Sequence, residues 1–126
     1  MKSKYWKVRQ GEIYDVDLPV SVGSVQSGIR PMVITSANRR NRRSPTVIAV
    51  VVTSQIKRLD LAEHVVLPDE AGLPKRSMIC AEQRFTIDKR QLLRKRGKLT
   101  WPAWNRVRRA LRQSERSYKR DYEREE

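Results

Sequence analysis

The chain has 126 residues, a formal charge of +14 and a pI near 10.7, so it is expected to form a single domain over residues 1–126. So large a surplus of cations strains a compact fold by self-repulsion, and a polyanion or an acidic partner commonly offsets it. One cysteine, Cys80, and one histidine, His64, exclude an intramolecular disulfide and leave little for a cysteine-rich or multi-histidine metal centre. No apolar run is long enough to cross a bilayer, which points to a soluble, cytoplasmic protein.

Residues 11–18, GEIYDVDL, set Tyr14, Val16 and Leu18 on one face, as a first strand would. Residues 19–29 follow as a loop, with Gly23 and Gly28 bracketing Ser24, Gln26 and Ser27. Arg30 and Pro31 then lead into a second strand at residues 32–35. A guanidinium at such a hinge can hold a phosphate in its planar fork of donors, or it can merely bound a strand. The segment alone leaves both readings open.

Residues 36–45, SANRRNRRSP, read as a polar connection. The run TVIAVVV at residues 46–52 is short and almost wholly β-branched, which predicts a central strand buried on both faces and ending at Thr53 and Ser54. Further short strands are expected at residues 64–67, 77–81 and 84–87, and a set like this without intervening helices suggests a small antiparallel barrel. His64 is assigned to packing in its strand and Cys80 to a small buried filler.

After Asp88 the pattern changes. Residues 89–96 are expected to hold a helical turn that Gly97 breaks, and Thr100 then caps a long helix with Pro102 in its first turn. Trp101, Trp104, Val107, Leu111, Tyr118 and Tyr122 fall near one face, predicted to pack on the core, with Arg106, Arg109, Arg112 and Arg116 opposite. From about residue 114 a basic, helical C-terminal extension either continues through i,i+4 ion pairs or frays.

No phosphate-binding glycine loop, dinucleotide fingerprint, HExxH or paired-cysteine spacing occurs, so neither a metal nor a cofactor is expected. What remains is a polar set at strand ends: Arg30, Thr53, Ser54, Glu82 and Gln83. If the strands pair as neighbours, these residues meet over one end of the barrel, beside the 19–29 loop, in a cationic groove suited to a phosphodiester.

Read together, QGEIYDVDL, VGSVQSGIRPMVI, NRRSPTVIAVVVTSQI, HVVL, GLPKRS, EQRFTIDKRQL and GKLT resemble the MazF/PemK family of toxin endoribonucleases, in order and over nearly the whole chain. The resemblance implies an SH3-like barrel of the CcdB/PemK type with a terminal helix, assembled as a homodimer. It also implies metal-independent, sequence-specific cleavage of single-stranded RNA, and a cognate antitoxin whose acidic C-terminal segment covers the groove. By the same resemblance the arginine of the GxRP motif is Arg30, acting in proton transfer and charge stabilisation, and the catalytic threonine is Thr53. Ser24, Gln26 and Gln83 fall on positions that approach the RNA bases.

The chain departs from the family pattern at Val25, where a glutamate is usual, and at Gln10, where arginine is common; both are expected near the groove. The basic runs at residues 39–43 and 94–98 read as solvated faces that could widen an RNA footprint. Two other functions fit the same barrel: a non-catalytic toxin that binds a protein such as gyrase, and an RNA-binding module without turnover. Arg30 together with Thr53 favours the nuclease, since a gyrase-binding protein does not need that pair.

Overall fold

The TVIAVVV run lies at the middle of the molecule. In the computed structural model, which describes residues 7–18, 27–68 and 71–124, it forms β3 (Thr46–Thr53) in a six-stranded, wholly antiparallel sheet. Its partners are β1 (Glu12–Leu18), β2 (Gly28–Ile34), β4 (His64–Val66), β5 (Met78–Asp88) and β6 (Leu92–Lys98), in the spatial order β4-β5-β3-β2-β1-β6. Among the described residues three α-helices accompany the sheet: α1 (Asn38–Arg43), α2 (Trp101–Ser114) and α3 (Lys119–Tyr122).

Alternation along β3 divides the interior in two, as a strand buried on both faces must. Val50 and Val52 join Ile13, Val33, Ile79 and the apolar side of α2, whereas Val47, Ala49 and Val51 join Tyr14, Val16, Met32, Ile34 and Leu92. Helix α2 is tied to β5 by Arg84, which donates to the Leu111 carbonyl at 3.2 Å and to Ser114 Oγ, and pairs with Glu115 at 3.3 Å.

Several segments differ from the sequence-based expectation. The strands expected at 77–81 and 84–87 are one long strand, β5, interrupted by a bulge: Val51 pairs with Cys80, and the adjacent Val50 with Arg84. Ala81, Glu82 and Gln83 are thereby extra to the ladder, and such insertions bend a strand and re-aim its side chains. Residues 89–96 do not form a helical turn throughout. Asp88 caps a short 3-10 turn at Lys89–Gln91, and β6 begins at Leu92.

Gly97 is not a helix breaker but a point of close approach, where a Cβ would stand 2.3 Å from the Ala71 carbonyl oxygen. The polar connection contains α1, held by Asn41, whose amide donates to the Ser36 carbonyl at 2.9 Å inside the core. Gly28 and Ile29 already belong to β2 rather than to the preceding loop.

Within α2, Trp104 and Val107 are buried as expected and Leu111 packs against the same core. Trp101, at 69% exposure, and Tyr118 and Tyr122 are not. Ala103 and Ala110 take up the contact instead, which narrows the buried stripe and lets the helix lie close to the sheet. The helix stops at Ser114, and the acidic and basic tail forms only the separate α3.

Candidate active site

Antiparallel register brings the strand-end residues together. Met32 of β2 pairs with Val51 of β3, and continuing that register two residues outward sets Arg30 level with Thr53. Thr53 in turn pairs with Met78 of β5. A cleft of about 560 Å³ opens over this end of the sheet, and Arg30, Thr53, Ser54, Glu82 and Gln83 all line it. Ser24, Gln26 and Val25 lie outside the described residues.

Each side chain is placed by a local cause. Arg30 sits in the β1–β2 ladder opposite Val16, is half-buried and lines the cleft. Thr53 is the last residue of β3; its Oγ1 accepts the Gln55 N–H at 3.1 Å, which fixes the hydroxyl and leaves its hydrogen to donate elsewhere. Glu82 and Gln83 reach the cleft because the β5 bulge carries them out of the ladder.

The cleft also holds side chains that sequence reasoning gave to packing or left aside. His64 of β4 stands opposite Cys80 of β5. Its Nδ1 is 3.0 Å from the Lys57 carbonyl oxygen and its Nε2 is 2.9 Å from Glu82 Oε1. Burial pulls the imidazole down, but the Glu82 carboxylate and the neighbouring backbone carbonyls outweigh it, and the net shift is upward. Burial, reinforced by Glu82, pushes the Cys80 thiol up to about 11. His64, Cys80 and Glu82 form the one cluster of potential metal donors among the described residues.

Arg96 of β6 completes the cationic wall, its Nη1 lying 3.3 Å from Asp15 Oδ2 with both side chains about a fifth exposed. It is the member of the 94–98 basic run that lines the cleft.

Comparison with known proteins decides the family. A profile described as PemK-like, MazF-like toxin of type II toxin-antitoxin system matches residues 9–114. The chain belongs to this toxin family.

Over 86 residues the toxin is 40% identical to Endoribonuclease EndoA of Bacillus subtilis (strain 168), an alignment covering 68% of this chain and 74% of the relative. Its fold superposes on an endoribonuclease in complex with its cognate antitoxin from a mycobacterial species, with a TM-score of 0.72 and 25% identity, covering 85% and 93% of the two chains. It superposes likewise on MazF from Deinococcus radiodurans, with a TM-score of 0.71 and 22% identity, covering 83% and 93%. The six-stranded sheet with its C-terminal helix is thus the MazF fold.

Gln10, expected near the toxin's groove, lies elsewhere. It donates through Nε2 to the Thr35 carbonyl at 2.9 Å, and its N–H donates to Asn38 Oδ1 at 2.7 Å. It is therefore a brace at the α1 end of β2, the end away from Arg30. Helix α1 shares that end, separated from Thr53 by the 8 residues of β3, roughly 25 Å of extended chain. Its Arg40 is also committed, donating to the Thr46 carbonyl and hydroxyl at 2.8 and 2.9 Å.

Proposed function

We propose that this toxin is an endoribonuclease that cleaves single-stranded RNA by attack of the 2′-hydroxyl on the adjacent phosphorus. The observation that carries the reading is that Arg30 and Thr53 line one cleft. The 2′-oxygen forms a bond to phosphorus as its proton leaves, the P–O5′ bond breaks, and the departing oxygen takes up a proton. The products are a 2′,3′-cyclic phosphate and a 5′-hydroxyl.

Charge builds on the non-bridging oxygens as phosphorus becomes pentacoordinate. A guanidinium already in position meets it without reorganisation, which is where electrostatic catalysis is largest. Arg30 therefore stabilises the phosphorane and serves proton transfer, while the oriented Thr53 hydroxyl donates to a phosphate oxygen. Ser54, Glu82 and Gln83 hold the RNA, the amide reading a base edge as unstacked bases permit, and Ser24 and Gln26 of the preceding loop approach it. Since the nucleophile is the substrate's own hydroxyl, no metal-bound water is required.

The toxin acts in the cytoplasm as a homodimer. Its cognate antitoxin lays an acidic C-terminal segment over the cationic cleft, because a flexible chain of carboxylates can imitate an RNA backbone. Among the described residues no helix is long and apolar enough to cross a membrane. A non-catalytic toxin acting on a protein target would not need an arginine and a threonine lining one cleft. Purified protein should cut a long single-stranded RNA and spare the same sequence annealed to its complement. No cutting, or equal cutting of both, would overturn the proposal.

A further inference from the structure

The cluster of His64, Cys80 and Glu82 has a use that RNA cleavage does not absorb. Three ligand atoms of different kinds, an imidazole nitrogen, a thiol sulfur and a carboxylate oxygen, all lie within 4.8 Å of one another. The sheet builds this grouping. His64 and Cys80 are directly paired across β4 and β5, and the bulge that follows Cys80 brings Glu82 over the same spot, 2.9 Å from the His64 ring.

A second observation points the same way. The other ring nitrogen of His64, Nδ1, lies 3.0 Å from the backbone carbonyl of Lys57, an acceptor that holds the proton there and turns Nε2 toward Glu82 and Cys80. Histidines that bind metals are commonly oriented by an outer bond of this kind, which fixes the tautomer and raises the basicity of the ligating nitrogen. The thiol also lines the cleft, so an ion has a path to it.

We infer that His64, Cys80 and Glu82 form a binding site for a thiophilic divalent cation of the zinc class, and that its occupation slows the toxin. Nitrogen, sulfur and oxygen donors in one set suit Zn²⁺ better than the hard cations Mg²⁺ and Ca²⁺, which prefer oxygen. Coordination displaces both the proton shared between His64 and Glu82 and the Cys80 thiol proton, and both pass to solvent. It leaves a coordination position for water, as three-ligand zinc sites do. The inhibitory half of this inference rests on the proposed RNA cleft, since a bound cation withdraws Glu82 from the substrate-binding wall; the binding half does not.

The test uses the full chain, treated with chelator, dialysed and kept reduced. Titration with Co²⁺ as a spectroscopic stand-in for Zn²⁺ should give a sulfur-to-cobalt charge-transfer band saturating at one ion per chain, and Zn²⁺ should displace it. Cys80→Ala should abolish the band. His64→Gln should weaken Zn²⁺ binding by more than the roughly 10–100-fold that loss of an outer-shell partner costs, with circular dichroism confirming that both variants are folded. Zn²⁺ should slow RNA cleavage by the parent toxin and leave Cys80→Ala unaffected, each rate being taken relative to the same protein in chelator. Absence of the charge-transfer band, or Zn²⁺ affinity unchanged in Cys80→Ala, overturns the site whatever the activity shows. Equal slowing of both proteins by Zn²⁺ overturns its role as a brake.

Discussion

The arginines of the cleft and those of α1 carry the same charge in opposite settings. Arg30 is half-buried in a paired strand and lines the cleft with Thr53, and Arg96 is held against Asp15. Arg39, Arg42 and Arg43 project from a short helix into solvent at the other end of the β2–β3 hairpin. A fixed cation can favour a transition state over a ground state, whereas a mobile exposed one raises the general attraction for a polyanion and is screened within about 8 Å at physiological salt. Net charge thus announces the class of partner, and burial together with register decides where chemistry occurs.

The sharpest way to break this comparison is Arg30→Ala. Losing one positioned donor to developing negative charge typically costs about 10² to 10³ in rate. The loss should appear in the cleavage rate at saturating RNA, with an unchanged circular dichroism spectrum. An intact rate would mean that position in the sheet has been mistaken for function.

A smaller effect is expected at Thr53. Removing a neutral hydrogen bond to phosphate with Thr53→Ala should slow cleavage by roughly tenfold. Thr53→Ser, which keeps the hydroxyl, should restore most of it. If serine is no better than alanine, the methyl group and not the hydroxyl is what matters.

The least effect should come from replacing Arg39, Arg42 and Arg43 together by glutamine. Because α1 stands at the far end of β3, the slope of log K against log salt for a short RNA should change by less than one phosphate contact, about 0.7. The preferred cleavage sequence should be unchanged. A slope reduced by the equivalent of all these side chains would place RNA across α1 and erase the distinction between the two regions.

Much of the sheet was legible in the sequence, because β-branched runs and alternation report burial directly: β1 and β3 lie where the patterns placed them, and β2 overlaps its expected run but begins four residues earlier, at Gly28. The illegible elements share a cause, in that their stability comes from partners remote in sequence. Helix α1 has no apolar period and is held by a buried asparagine, Asn41, bonded to Ser36. β6 reads LLRKRGK, a basic sequence with little strand character. It is an outer strand, paired on one side with β1 and with Leu93, Arg94 and Lys95 exposed, where cations are tolerated and discourage edge-to-edge association.

At the site, the grouping of Arg30, Thr53 and Ser54 followed from strand ends being neighbours, whereas Glu82 and Gln83, expected ahead of a separate strand, join them from the middle of β5. The bulge that presents Glu82 and Gln83 has no sequence signature of its own. The same holds for the meeting of His64, Cys80 and Glu82, since counting histidines and cysteines by type overlooks a set made of one each. Arg96 was visible only as part of a basic run, and its selection from that run is made by its contact with Asp15. Gln10 shows the converse, a position marked by its departure from the family pattern that serves as a brace far from the cleft.

The central claim is that the cleft cleaves RNA with the substrate's own 2′-hydroxyl as nucleophile and Arg30 and Thr53 as the groups acting on the phosphate. Digestion of single-stranded RNA by the purified toxin in excess EDTA, followed by analysis of the new termini, tests it most directly. The account predicts full activity under chelation and products bearing a 2′,3′-cyclic phosphate and a 5′-hydroxyl. Cleavage that stops in EDTA and returns with magnesium, or products bearing a 5′-phosphate, would contradict it.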